Sequence, residues 1–314
     1  MALVDTSCGA IVFCSSSGHC QLDCSYCIVN PVIKRNPSLT YEDLDFFIRA
    51  VGTSVFFIFS GKGDFFAGYS KKERLLGRLL ERDVEVALDV NGLLLHEYPE
   101  LPDAARRKVR HVNLTMHYAQ LRRKNARELW AGNARTLVGL HEGLLNLNTI
   151  LSPLERGTWE ESLAFFEREV FGPTGRKLVL VTDCDRPFSD DERAEHDRLR
   201  ERFAPMIESS YSADFAGAFA GREAVLCPAG QSYFRVWNDG RVEGCPWVGE
   251  LGGLGNLKER RFEPRPAPFR CTTPRFCDCY DILQLGRMGF EEPAVDAPAA
   301  GPLDAVGGPG SPRA

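Results

Sequence analysis

Apolar segments alternate with amphipathic segments through residue 206 of the chain. Six segments rich in Val, Ile, Leu and Phe predict β-strands at 9–13, 54–59, 84–90, 111–116, 145–151 and 177–182. They show little alternation of polar and apolar residues, which is typical of parallel strands covered on both faces. Because helical segments fill the intervals, the pattern predicts an α/β fold.

Local signals place several of the helices. Three helices are predicted to begin with a capping box, in which a Ser or Thr side chain accepts a hydrogen bond from the backbone N–H three residues later. The predicted caps are Thr40, Thr158 and Ser189. An apolar stripe predicts a further helix. The stripe consists of Leu75, Leu76, Leu79 and Leu80.

The composition argues against several classes of function. The chain has 314 residues, a hydrophobic fraction of 44% and a formal net charge of −5. Broad binding to nucleic acid is not expected, because phosphate contacts require a basic surface. No apolar run reaches the length of a membrane span, and the N-terminus lacks the basic start and apolar block of a signal peptide. We therefore expect a cytoplasmic protein that does not bind membranes.

The cysteines are numerous and unevenly placed. Of the 11, five precede residue 28, one is at 184 and five lie between 227 and 279. In a reducing compartment such a set indicates metal binding or catalysis rather than disulfides.

Three of these cysteines share one short segment. Its sequence is Cys20-Gln-Leu-Asp-Cys24-Ser-Tyr26-Cys27. A cubane iron–sulfur cluster needs one ligand per iron, so three thiolates leave one iron open to a small molecule. Structural zinc is the alternative, with Cys14 or His19 as the fourth ligand.

The spacing C-x3-C-x2-C, with an aromatic residue before the last cysteine, resembles the signature of the radical S-adenosylmethionine (radical SAM) superfamily. The resemblance covers about residues 8–283. It implies a partial (β/α)6 barrel whose active site lies at the C-terminal ends of the strands. It also implies that Cys20, Cys24 and Cys27 hold a [4Fe-4S] cluster, that the open iron binds S-adenosylmethionine, and that Tyr26 lies beside the adenine.

Further cofactor contacts are predicted after the second and third strands. Gly61, Gly63 and Asp64 resemble the Gly-Gly-Glu motif of the family, which meets the amino group of S-adenosylmethionine. The motif departs from the family pattern, because Lys62 separates the glycines and the acid is Asp. Taken alone, this segment is more typical of a surface turn. Asn91 is a candidate to bond cofactor or substrate, with a turn as the alternative.

Polar residues after the later strands are candidates for contact with the substrate. His117 follows the fourth strand, and Asn148 and Ser152 are assigned to the fifth. Cys184 comes just after the sixth strand, where its thiol would give a hydrogen atom to a substrate radical in the manner of radical SAM epimerases. A small buried apolar residue is the alternative for this cysteine.

The C-terminal cysteines predict a second metal centre. A hairpin turn is predicted at Trp237-Asn-Asp239-Gly240-Arg, between Cys227 and Cys245. The region resembles the reduced SPASM extension of the family, called a twitch domain, which binds one auxiliary [4Fe-4S] cluster. The resemblance implies Cys227 and Cys245 as ligands, completed by two of Cys271, Cys277 and Cys279. A zinc ribbon is the alternative.

The predicted organisation is a radical SAM core at 1–206, a connector at 207–226, a small auxiliary-cluster domain at 227–283 and a disordered tail at 291–314. The resemblance implies that a donor such as flavodoxin or ferredoxin reduces the cluster. S-adenosylmethionine is then cleaved to a 5′-deoxyadenosyl radical that abstracts hydrogen from a substrate. Dehydrogenation or epimerisation of a small natural-product intermediate is favoured. The alternatives are modification of a ribosomal peptide and, in another class, a non-catalytic iron–sulfur or zinc scaffold.

Overall fold

The computed structural model describes residues 8–15, 19–27, 39–61, 63–69, 72–182, 186–212, 225–245 and 253–271, with the backbone alone at 210–212, 225–226 and 269–271. The strands described are β1 (Ala10–Ser15), β2 (Val55–Ser60), β3 (Val84–Val90), β4 (Val109–Met116), β5 (Leu144–Ile150), β6 (Leu178–Thr182), β7 (Ile207–Ser212), β8 (Val225–Cys227), β9 (Tyr233–Val236), β10 (Arg241–Glu243), β11 (Gly253–Asn256), β12 (Arg261–Phe262) and β13 (Phe269–Cys271).

Helices connect most of the parallel strands. They are α1 (Tyr41–Val51), α2 (Phe65–Gly68), α3 (Leu75–Leu80), α4 (Asp103–Arg106), α5 (Tyr118–Arg123), α6 (Arg127–Leu140), α7 (Trp159–Phe166), α8 (Gly172–Thr174) and α9 (Asp190–Arg202). A π-helical turn (Glu167–Phe171) joins α7 to α8, and short 3₁₀ helices occupy Tyr98–Glu100, Pro153–Thr158, Ala204–Met206 and Leu257–Glu259. Within the described part of the chain, none of these helices has the length and apolar character to cross a membrane.

The α/β prediction is confirmed. Within the described residues, one open sheet of 11 strands has the order β12-β11-β10-β9-β1-β2-β3-β4-β5-β6-β7. Strands β1 to β7 are all parallel to their neighbours. All six predicted strands are present, and their ends differ from the predicted ends by at most two residues.

The main hydrophobic core lies between one face of this sheet and the helices. Alternate strand residues such as Val12, Phe57 and Leu114 point into it, and Leu79 and Trp130 pack on them from α3 and α6. These five side chains are at most 1% exposed. Full burial of a large apolar side chain contributes about 1.5–3 kcal/mol, so this face holds the sheet and helices together.

Two of the three capping boxes are confirmed. Thr40 and Ser189 each accept a hydrogen bond from the backbone N–H three residues later, and the acidic residue there bonds back to the cap. The box at Thr158 was wrong, because a 3₁₀ helix already precedes α7 and leaves no free helix start at that residue. The Thr158 hydroxyl instead donates to the backbone oxygen of Glu155 at 2.8 Å. The leucine stripe of α3 is confirmed, since all four side chains are buried.

The C-terminal part of the chain extends the same sheet. Residues 207–226, predicted as a connector, begin with β7, which pairs with β6 in parallel. Beyond it, β9 pairs with β1 in parallel and forms the predicted hairpin with β10. Strands β11 and β12 follow at the edge, so the four strands β9 to β12 continue the sheet past β1. Strands β8 and β13 pair separately. The predicted tail at 291–314 lies outside the described residues.

Candidate functional site

The cysteine loop, residues 19–27, follows β1 at the C-terminal edge of the parallel sheet. In parallel α/β sheets this edge is where ligands bind. All three cysteines of the loop are free thiols. Cys24 is buried, with 7% of its surface exposed, whereas Cys20 and Cys27 are half-buried.

The ends of β2 and β3 fasten the first half of the loop. The backbone N–H of Asp64 donates to the carbonyl oxygen of His19 at 2.7 Å. The side-chain amide of Asn91 donates to Gln21 Oε1 at 2.9 Å and lies 3.6 Å from Cys20 Sγ. The loop is therefore tied to two strands that are distant from it in the chain.

Gln120, in α5, fastens the middle of the loop. It was not among the residues predicted from the sequence. Its side-chain amide donates to the carbonyl oxygen of Asp23 at 2.7 Å, and its Oε1 accepts from the N–H of Asp23 at 3.3 Å. Such a two-way contact mimics the pairing between two strands. Gln120 is only 1% exposed, and its one sequence signal is a polar residue on the buried side of a short helix.

His117 reaches the second half of the loop from the end of β4. Its Nδ1 lies 2.8 Å from the hydroxyl of Tyr26 and 3.5 Å from Cys24 Sγ. The two rings stack with their centroids 6.0 Å apart. Burial lowers the pKa of His117 to about 4, so the imidazole is neutral and its Nδ1 shares a hydrogen bond with the Tyr26 hydroxyl. The predicted residues Tyr26 and His117 are thus in contact with each other.

Asp64 and Asn91 also bond to each other. The carboxylate of Asp64, which is 2% exposed, accepts from the backbone N–H of Asn91 at 2.6 Å and from that of Ala67 at 3.1 Å. Burial raises the pKa of this carboxyl to about 6. Asn91 Oδ1 accepts from the N–H of Leu93 at 3.0 Å. The side chains of both predicted cofactor residues therefore hold local structure as well.

The glycines beside Asp64 adopt a backbone that other residues rarely reach. Gly61 has a φ of 85° and Gly63 a φ of 93°. Both values lie in the left-handed region that favours glycine, so the turn after β2 requires these two residues. Lys62, between them, lies outside the described residues.

Two thiols of the loop, those of Cys20 and Cys24, have a raised pKa because of burial. Burial raises the pKa of Cys24 to about 12, partly opposed by a hydrogen bond from Tyr26. Burial also raises the pKa of Cys20, and the three thiols are close enough to influence one another electrostatically. Within the described ranges, no three His, Cys, Asp or Glu side chains are arranged to hold a metal ion.

The other predicted residues near this edge have different surroundings. Asn148 is 6% exposed and points to the face of the sheet opposite the main core. Ser152 has a structural role, because its hydroxyl accepts from the N–H of Leu154 and caps the 3₁₀ helix. Cys14 belongs to the main core and is fully buried, in agreement with a packing role. Cys184 lies outside the described residues.

The second cysteine region is described in part. Cys227 ends β8, Cys245 follows the β9–β10 hairpin, and each is 8% exposed. Gly244 lies against the backbone of Gly230: a Cβ added to Gly244 would be 2.9 Å from the nitrogen of Gly230. The segment before Cys245 therefore runs beside the segment after Cys227. Strand β13 pairs Cys271 with Val225. Cys277 and Cys279 lie outside the described residues.

No family model matches the chain, and no curated protein matches its sequence.

Proposed function

We propose that this chain is a radical SAM enzyme in which Cys20, Cys24 and Cys27 hold a [4Fe-4S] cluster. One observation carries the proposal: the three-cysteine loop lies at the C-terminal edge of a parallel sheet and is fastened by residues that follow β2, β3 and β4. The fold that this function implies is a partial (β/α)6 barrel. The open parallel sheet from β1 to β6, with its intervening helices, supports that part of the proposal.

The donor set suits such a cluster. Thiolates are the normal ligands of iron–sulfur clusters, and three of them leave one iron for a small molecule. Because burial raises the pKa of Cys20 and Cys24, binding of the cluster has to displace their protons. When bound, the cluster with S-adenosylmethionine supplies reductive cleavage to a 5′-deoxyadenosyl radical.

The residues of the chain then position the loop and its ligand. Tyr26, oriented by His117, presents an aromatic ring for the adenine. Gly61, Gly63 and Asp64 provide the turn assigned to the amino group of S-adenosylmethionine, and Asn91 bonds Asp64 to the loop. Leu22, Cys24 and Tyr26 are buried, whereas Cys20 and Cys27 keep part of their surface exposed for a ligand.

The proposal includes one auxiliary [4Fe-4S] cluster in a twitch-type region at 227–283. Its ligands would be Cys227, Cys245 and two of Cys271, Cys277 and Cys279. The close approach of the chain at Gly230 and Gly244 supports the first two, because it brings their segments side by side. This centre would take an electron from the substrate radical or bind the substrate. Dehydrogenation or epimerisation of a small natural-product intermediate is the proposed net reaction, with flavodoxin or ferredoxin as electron donor.

Anaerobic reconstitution tests the proposal. The chain is loaded with iron and sulfide, its iron is counted, and 5′-deoxyadenosine is measured after addition of S-adenosylmethionine and dithionite. We expect about eight irons per chain for two cubane clusters and formation of 5′-deoxyadenosine. The variants Cys20→Ala, Cys24→Ala and Cys27→Ala should each lose cleavage, whereas Cys14→Ala, at a core position, should keep it.

Other results would identify another function. Zinc in the loop, or iron without any cleavage of S-adenosylmethionine, would indicate a scaffold and refute the enzyme. A Cys227→Ala variant that keeps its full iron content would refute the auxiliary centre alone.

A further inference from the structure

A row of polar residues crosses five neighbouring strands, near the C-terminal ends of β1, β2 and β3 and in the middle of β4 and β5. Ser15 is opposite Ser60 across β1 and β2, Asp89 is opposite Asn113 across β3 and β4, and Asn113 is opposite Asn146 across β4 and β5. The hydroxyl of Ser60 donates to Asp89, which joins β2 to β3. We call these five residues the polar row. No local sequence pattern predicts the polar row, because its residues come from five separate segments.

The polar row faces away from the main core. On the same face, the preceding row is apolar at Phe13, Ile58 and Ala87 and is bordered by Arg235 on β9 and His111 on β4. None of these residues belongs to the core beneath the helices. On β1, β2 and β3 the face therefore changes from apolar to polar towards the C-terminal ends of the strands.

Neighbouring side chains fix the orientation of the polar row. Asn113 Nδ2 donates to Asp89 Oδ1 at 2.7 Å, and Asn146 Nδ2 donates to Asn113 Oδ1 at 3.0 Å. Asn146 Nδ2 also lies 2.9 Å from Nε2 of His111. Ser60, Asp89, Asn113 and Asn146 all remain half-buried rather than enclosed. Fixed polar groups with partial access to solvent are suited to binding, because little order has to be created when a ligand arrives.

Asp89 carries the charge of the row. Among the described residues its hydrogen-bond donors are Ser60 and Asn113, and both are neutral. Burial lowers the pKa of His111, so that imidazole is neutral as well. A carboxylate that accepts only two neutral hydrogen bonds retains room for further donors, and a cationic donor gives the stronger bond.

We propose that the polar row binds a small molecule that carries a protonated amine and hydroxyl groups. The amine bonds to Asp89, and the hydroxyl groups bond to the amides of Asn113 and Asn146. Asn91, which contacts the cysteine loop, comes two residues after Asp89, about 7 Å along an extended chain. The bound molecule would therefore lie next to the loop. The inference rests on the proposed function only in naming this ligand as the substrate.

Matched ligands test the inference on the full chain without metal. Binding of glucosamine and of galactosamine is compared with that of glucose and galactose at neutral pH and low salt, by saturation-transfer NMR titration. Each pair differs by one amine in place of one hydroxyl. A charge-assisted hydrogen bond exceeds a neutral one by about 1.4 kcal/mol, so we expect the amines to bind about tenfold more tightly.

Two variants locate the effect. Asp89→Asn should remove the preference for the amine. Glu85→Gln should keep it, since Glu85 lies on the same strand and face but pairs with Arg110 at 3.6 Å. Thermal melting shows whether Asp89→Asn folds. If it does not fold, the preference of the unaltered chain for the amines over the neutral sugars still tests the inference.

The outcomes separate this inference from the proposed function. If neither amine binds more tightly than its hydroxyl counterpart, or if Asp89→Asn keeps the preference, the polar row is not an amine site. Such a result in a chain that cleaves S-adenosylmethionine would leave the proposed function standing. Amine binding by a chain that never cleaves S-adenosylmethionine would support the site and refute the proposed function.

Discussion

The side-chain amide of Asn91 donates to Gln21 Oε1 over 2.9 Å and thereby joins the end of β3 to the cysteine loop. The backbone N–H of Asn91 donates to Asp64, at the end of β2. One residue thus connects two strands and the loop. Ligands of metal centres depend on such supporting contacts for their orientation, so Asn91 is the first position at which to test how the loop is held.

Replacing Asn91 with Leu should loosen the cysteine loop in the metal-free chain. The change removes the hydrogen bond to Gln21, worth about 1 kcal/mol, together with the contact to Cys20 and the local bond from the N–H of Leu93. Backbone amides of the loop, such as that of Leu22, should exchange with solvent roughly fivefold faster, as measured by hydrogen–deuterium exchange.

The matched control for this change is Asn133→Leu. The amide of Asn133 donates to the carbonyl oxygen of Gly92 at 2.8 Å, so it supports the same segment without contacting the loop. Exchange in the loop should stay unchanged in this variant. Equal acceleration in both variants would show that the contact between Asn91 and Gln21 does not hold the loop.

Replacing Gly92 with Ala should destabilise the chain. Gly92 has a φ of 76°, and an added Cβ would lie 2.5 Å from Leu114 Cδ1 and 2.8 Å from Trp130 Nε1. Overpacking of this kind costs about 1–3 kcal/mol, to be measured as the free energy of unfolding in urea. The control Gly132→Ala lies within α6 with no atom near the added Cβ, and should gain about 0.5–1 kcal/mol. Similar effects of the two changes would contradict the packing described around Gly92.

Stability should fall in mild acid because of His141. Its Nδ1 lies 2.6 Å from the hydroxyl of Tyr98, and burial lowers its pKa from 6.5 to about 4. As the pH falls, the unfolded chain takes up the proton first. The contribution of neutral His141 to the free energy of unfolding is therefore complete above about pH 6.5. It is lost as the pH falls towards 4, by up to roughly 3 kcal/mol.

Urea titrations at several pH values measure this dependence. The variant His141→Gln should show a flatter fall in stability between pH 6.5 and 4 than the unaltered chain. Tyr98→Phe is the control, because it removes a hydrogen bond but leaves the imidazole buried. It should be less stable at every pH and keep the original slope. An unchanged slope in His141→Gln would rule out this histidine as the source.

The capping box at Ser189 should contribute measurably to stability. Its hydroxyl accepts from the backbone N–H of Glu192 at 3.3 Å, and the carboxylate of Glu192 accepts from the N–H of Ser189 at 2.7 Å. Ser189→Ala should cost about 1 kcal/mol, and Ser189→Gly only a few tenths, because glycine is tolerated at this position. Equal losses in thermal or urea unfolding would argue against the side-chain cap.

Features that depend on neighbours in the chain were determined by the sequence itself. The six apolar strands, the caps at Thr40 and Ser189 and the hairpin beside Gly240 all follow from short-range patterns, and each is present. The spacing of Cys20, Cys24 and Cys27 likewise places three thiols on one loop. Their metal and cofactor remain predictions.

Features that depend on contacts between distant segments were decided by the tertiary structure. The serine-rich segment 207–212 is a strand because β6 supplies its hydrogen-bond partners, although its own sequence carries no apolar run. Gln120 and Asn91 hold the cysteine loop only because the fold brings them to it. The polar row exists only in the register of five parallel strands, since no local pattern encodes which residues of separate strands stand side by side.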